Sequence, residues 1–248
     1  GDTNNPGDVL DLATAGLYGT TISWASDNEL INVTSGLVGA TSIDVTVTLT
    51  ATITFNAASD TAVCSINVTP HILAYYSGFE DLTGTDPNGL SGYSDTAFVS
   101  ASQSWIAYQA YRGTTPSTDF PIGAVDIRLK SASTTAMAYI SSGFTVTNVS
   151  KISIKYCDYY NGTAFHTKGA LYIQVSKDGT NWVTVGFHND SVATTTMTLV
   201  TATIDYAQAE LVTAGITAAD ALYVRIGNML YTGTNQSIDI DELFIYHK

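Results

Sequence analysis

Four histidines, two cysteines and 22 carboxylates are the residues of this 248-residue chain that could do chemistry. His71, His166, His188 and His247 do not fall in a zinc-protease spacing, and no nucleophile elbow, phosphate loop or dinucleotide fingerprint is present. Two cysteines exclude a disulfide framework or a cysteine zinc site, so Cys64 and Cys157 read as buried free thiols. Paired carboxylates can cleave glycosides. Local spacing does not set their separation, however, and solvated loop acids are the stronger reading. The chain therefore reads as non-catalytic. One carboxylate pattern stands apart: Glu80-Asp81 early in the chain, and Asp239, Asp241 and Glu242 at its end. Calcium takes about 6–8 oxygen ligands, and a sandwich that joins its first and last strands would let Glu80 meet Asp241. The competing reading is an acidic edge that discourages sheet pairing, and local sequence favours it.

Aromatics offer a second chemistry, because flat rings pack against the C–H faces of sugars. Trp105, Tyr108 and Tyr111, with Arg112 beside them, form one candidate glycan-contact group, and Tyr159-Tyr160 a second. Each ring can equally be core, with its body buried and its polar tip wet. Trp24 reads as core and Trp182 as packing over its own hairpin. Asp126 and Arg128 on a strand read as further polar contacts or as an ordinary ion pair.

These residues need elements to position them, and the periodicity is that of strands. From Ile43 to Phe55 every second residue is apolar and threonines fill most of the gaps, which makes one long strand with a buried face. Asn56–Asp60 reads as a turn and Ala62–Val68 as the return strand. Downstream, Ala170–Ser176 alternates cleanly. Val149–Tyr156 buries Val149, Ile152, Ile154 and Tyr156 only with a kink near Ser150. At the end, Ile238 and Ile240 share one parity while Leu243 and Ile245 share the other, so a bulge is predicted near Asp241-Glu242. Ala207–Gly215 is the one stretch with helical character and is read as loop.

Charge divides the chain. Residues 1–70 hold seven acids and no Lys or Arg, leaving 15 of the 22 acids and all nine bases to residues 71–248. A net charge of −13 argues against nucleic-acid binding. No apolar run approaches the ~20 residues of a membrane span, so no membrane insertion is expected. The fold class is all-β: a small all-β unit over 1–70, which the first resemblance below makes an Ig-like sandwich, then a jelly-roll sandwich over 71–248.

Two resemblances sharpen this. Gly19-Thr-Thr-Ile-Ser-Trp-Ala-Ser-Asp-Asn28, Val33–Val38 and the long threonine strand resemble the atypical bacterial immunoglobulin-like domain, without the first strand that would precede Val9. Gly78-Phe-Glu-Asp81, Val175-Ser-Lys-Asp-Gly-Thr-Asn-Trp182 and Ile238-Asp-Ile-Asp-Glu-Leu243 resemble the carbohydrate-binding-module jelly rolls of secreted bacterial hydrolases. That second resemblance implies a structural Ca²⁺ on Glu80 and Asp241, with Asp239 as a substitute. It further implies a secreted or cell-surface, monomeric glycan-binding module whose parent chain has other domains. The alternative is an adhesion module that binds protein.

Overall fold

The structure of the chain is a computed structural model that describes residues 3–4, 9–39, 41, 44–82, 90, 93–131, 134–167, 169–189, 196–230 and 236–248, with the side chains of 3, 4 and 94 left aside. Gly1–Ile72 and Leu73–His247 form two compact units. Strands dominate both.

In the first unit, β1 (Thr3–Asn4), β2 (Thr21–Ser26), β3 (Val45–Phe55) and β4 (Ala58–Val68) make a sheet of order β1-β4-β3-β2. The β1 strand pairs in parallel with Asn67–Val68, so a strand does precede Val9. Alternation along β3 buries Val47 and Leu49 against Ile31, Val38, Ile66 and Val68, and Trp24 packs at the margin of that cluster. Residues 9–20 and 27–39 pack over the sheet and are held to one another by the isolated bridges of Val9 with Leu37 and Ile31 with Val38. Two expectations change here. The β3–β4 turn is only Asn56-Ala57, with Phe55 opposite Ala58, because Asn56 adopts the left-handed φ of 54° that a tight hairpin needs. Cys64 is exposed. It lies opposite Leu49, but the covering segment reaches only Ile66 and Val68 of β4. Ile43 lies outside the described residues.

The second unit is a sandwich. Its strands are β5 (Ile72–Ser77), β6 (Ser94–Ser100), β7 (Gln103–Gly113), β8 (Asp126–Ser131), β9 (Ala138–Ser142), β10 (Val146–Thr147), β11 (Val149–Asp158), β12 (Gly169–Ser176), β13 (Val183–His188), β14 (Thr198–Thr203), β15 (Ala221–Leu230) and β16 (Gln236–His247). The pairing path runs β13-β12-β15-β9-β7-β8-β16-β11-β14. The β7 strand joins the two layers: Trp105–Tyr108 pair with β9, whereas Ala110–Gly113 pair with β8. Between them Gln109 takes a φ of 53°. Side-chain parity flips there, so Trp105, Ala107 and Ala110 all face the core.

Both register breaks anticipated from parity are present. Val149 pairs with His247 and Lys151 with Tyr246, an extra residue on β11 at Ser150. Ser153 pairs with Phe244 and Lys155 with Asp241, an extra residue on β16, where Glu242 has a φ of 47°. All of Val149, Ile152, Ile154, Tyr156, Ile238, Ile240, Leu243 and Ile245 are buried as a result. Ala209–Thr213 forms a single helical turn, α1, where the sequence reads as loop; it is anchored by the buried Leu211.

Trp105 is fully buried and sits among Tyr75, Phe98 and Phe144. Its Nε1–H donates to the Tyr75 hydroxyl at 3.0 Å, which donates to the Ser100 carbonyl at 3.0 Å. Trp105→Ala is expected to lower the stability of the second unit by about 3–5 kcal/mol through the cavity it leaves. Chemical denaturation of the full chain reads this as an earlier midpoint for that unit alone.

Candidate functional site

Parity sets two outward faces on the sandwich, and each gathers its own chemistry. Across β7, β8, β16 and β11 one cross-strand row reads Tyr111, Arg128, Asp239, Cys157. The next row in the same register holds Gly113, Asp126, Asp241 and Lys155. Core residues occupy the alternate positions, so these side chains point away from the core and yet are covered. The segment after β7 folds over them and brings in Asp119, whose Oδ2 accepts from the Thr114 and Thr115 N–H groups at 3.0 and 2.9 Å.

Arg128 organises this face. Its Nη2 pairs with Asp119 Oδ1, and its Nε lies 3.5 Å from Asp239 Oδ1. The guanidinium carbon sits 3.8 Å from the Tyr159 ring centroid and 5.0 Å from that of Tyr111. Tyr159 in turn meets His166 edge-on, and His166 Nδ1 accepts from the Ser237 N–H at 2.9 Å. Burial, then Arg128 and Lys130, hold the His166 pKa below its ordinary value, which suits that acceptor role.

Asp119, Asp126 and Asp239 are all buried, and each offers an oxygen within 4.8 Å of the other two. Such a cluster could hold a metal ion. Neither oxygen of Asp126 has a hydrogen-bond partner. Burial, with help from Asp241 and Glu80, pushes its pKa up to about 8. Asp239 is raised too, by burial and then by Asp126, with Arg128 opposing. The Cys157 thiol is buried beside these acids, and burial pushes its pKa up, which keeps it protonated.

Glu80 and Asp241, expected to lie together, do line one cavity of about 160 Å³ with Tyr76, Gly78, Ile122, Gly123 and Glu242. Ala124 N–H donates to Glu80 at 3.0 Å, and Ile122 N–H donates to Asp241 Oδ2 at 2.9 Å. Burial raises Asp241 to about 6 against the pull of the Ile122 and Glu242 amides that donate to it. An added Cβ at Gly123 would overlap Glu80 Oε1, so glycine is what leaves room for the carboxylate. Asp239 is in the other group, with Arg128, and not in this cavity.

The second face lies on β7, β9, β15, β12 and β13. Tyr108 stacks on Tyr139 with centroids 5.5 Å apart. The Arg225 guanidinium carbon lies 5.0 Å from the Tyr139 centroid and 4.2 Å from that of Trp182. Arg225 Nε donates to Gln174 Oε1 at 2.7 Å, and Gln174 Nε2 donates to Thr184 Oγ1 at 3.0 Å. Trp182 and Thr184 also line an open groove of about 670 Å³ with Val183, Gln208, Ala209, Glu210 and Thr213.

The expected glycan residues are thus dispersed. Trp105 is fully buried in the core, with no ring surface exposed. Tyr108 lies on the second face, whereas Tyr111 and Tyr159 flank Arg128 on the first. Tyr160 packs on Phe165, and Arg112 Nε donates to the Leu82 carbonyl at 2.8 Å. Tyr139, Gln174, Trp182 and Arg225 escape sequence reasoning as a group because only strand pairing brings them together.

Two all-β units, one of them a sandwich, define the class of this chain. Residues 2–71 match the family model of the atrophied bacterial Ig domain. No curated protein matches the chain. Among solved structures, a carbohydrate-binding module of the β-sandwich superfamily is 13% identical at a TM-score of 0.40, covering 91% of this chain and 85% of that one. A putative glycoside hydrolase from Bacteroides thetaiotaomicron is 12% identical at a TM-score of 0.44, covering 91% and 83%. The K3 cleaved adhesin domain of Lys-gingipain from Porphyromonas gingivalis is 11% identical at 0.38, covering 70% and 99%.

Arg128 is the base that pairs with the buried Asp119 and Asp239 of the first face. Removing it while keeping its volume, as in Arg128→Met, leaves uncompensated buried charge and is expected to cost about 3–5 kcal/mol. Denaturation midpoints of the two proteins under one buffer measure it.

Proposed function

We propose that the second unit is a non-catalytic module that binds neutral polysaccharide along the Trp182 groove, with the first unit as a spacer in a secreted or surface protein. The carrying observation is Trp182 itself. Its ring is held by Arg225 and borders a groove also lined by the apolar Val183 and Ala209 and by the hydrogen-bonding side chains of Thr184, Gln208, Glu210 and Thr213. An apolar wall with a few placed polar groups is the usual make-up of a small-molecule site. The Arg225–Gln174–Thr184 chain fixes the wall before ligand arrives, which reduces the ordering cost of binding. Weak binding of this kind gains by avidity on a polymer.

Trp182→Ala is expected to weaken polysaccharide binding at least about tenfold with the fold intact by circular dichroism, since aromatic anchors dominate such sites. Affinity electrophoresis across a panel of neutral polysaccharides reads it. A folded wild-type protein retained by none of them would overturn the reading.

A structural Ca²⁺ on Glu80 and Asp241 belongs to the same proposal. Both carboxylates face one cavity, and an all-oxygen donor set suits a hard cation. Bound there, the ion would supply charge neutralisation that ties the Glu80 segment and residues 122–124 to β16. Asp241→Ala is expected to shrink the Ca²⁺-dependent rise in melting temperature over chelated protein. An undiminished rise would remove Asp241 from the site.

A further inference from the structure

We infer that the buried Asp119–Asp126–Asp239 cluster is a second divalent-cation site, separate from the Glu80–Asp241 cavity, which clamps the segment after β7 onto the outer face of β8 and β16. Three observations carry it. The first is the orphaned carboxylate of Asp126. It is fully buried, neither oxygen accepts a hydrogen bond, and it points into the cluster over Gly113, where an added Cβ would overlap its Oδ1 and come within 2.9 Å of Asp119 Cγ. A buried carboxylate without partners is costly, and native structures supply it with a proton, a partner or an ion.

The second is charge. Three buried carboxylates meet the single guanidinium of Arg128, so the cluster holds more acid than base and favours a cation. Arg128 cannot supply more, because it is already engaged by Asp119, Asp239 and the Tyr159 ring. The third is geometry. Oxygens on one Ca²⁺ lie about 2.3–2.6 Å from it, so any two are within about 5 Å of each other; each of the three acids offers an oxygen within 4.8 Å of the other two. All donors are oxygens, which selects hard cations over zinc or copper. The three ligands come from the segment after β7, from β8 and from β16, so a bound ion would cross-link three chain segments.

The two sites are separable by mutation. The full chain is stripped with chelator and titrated with Ca²⁺ by calorimetry and equilibrium dialysis. Wild type is expected to take up about two Ca²⁺, and Glu80→Gln and Asp126→Asn about one each. In chelator, Asp126→Asn is expected to melt above wild type, because the amide carries neither the buried charge nor the cost of protonating it. In Ca²⁺ that order reverses as the ion's contribution is lost. The proposal is overturned if Asp126→Asn keeps the wild-type stoichiometry. It is equally overturned if Glu80→Gln binds no Ca²⁺ while wild type binds one, an outcome that leaves the Glu80–Asp241 site standing alone. Should Asp126→Asn fail to fold, the retained ion in Glu80→Gln decides the question by itself.

Discussion

Strand β7 pairs with β9 through Trp105–Tyr108 and with β8 through Ala110–Gly113, and Gln109 absorbs the change with a left-handed φ. Everything outward of the core follows from that residue. A strand of strict alternation would put Ala110 outside if Trp105 and Ala107 were inside. The flip keeps all three in the core and turns Tyr108 and Tyr111, only three residues apart, onto different faces. Positive φ is unfavourable for residues other than glycine, so the surrounding packing must over-determine the bend; the fully buried Trp105 on one side and Ala110 on the other do so.

On the carboxylate face, loss of solvent outweighs every other electrostatic effect. Asp126 and Asp239 sit opposite the core side of the sheet, a position normally wet, and are sealed by the segment carrying Asp119. Sealing converts ordinary surface acids into groups whose charged forms are costly. Arg128 offsets part of that cost because its planar fork serves Asp119 and approaches Asp239 while its faces rest on Tyr159 and Tyr111.

What sequence makes legible is whatever parity encodes locally. The breaks at Ser150 and at Asp241-Glu242 are legible because β-branched residues near each declare their face. The β7 flip is not, since alanines and tyrosines tolerate either side of a sheet. Glu80 and Asp241 are legible as neighbours through a resemblance and not through spacing. Asp119 is invisible: it lies in a segment without periodicity, and its partners Arg128 and Asp239 are on other strands. Trp182 reads as covering its own hairpin, whereas Arg225, on β15, is what holds it. Cys64 reads as buried and is exposed, because alternation gives a face but not how far the covering layer extends along it.

The two faces differ in what they demand of the fold. At the groove, Trp182 is held within its own layer by Arg225, which Gln174 and Thr184 fix in turn once β12, β13 and β15 pair, and the α1 segment lines the other side. The carboxylate face draws in segments from outside the sheet, Glu80 to Ala124 and Asp119 to Arg128, and joins residues as far apart in sequence as Ile122 and Asp241. Contacts of such sequence separation are the costly ones to close. Cations bound at this face would therefore act on the persistence of the sandwich, and β7, which belongs to both layers, is one link from there to the groove.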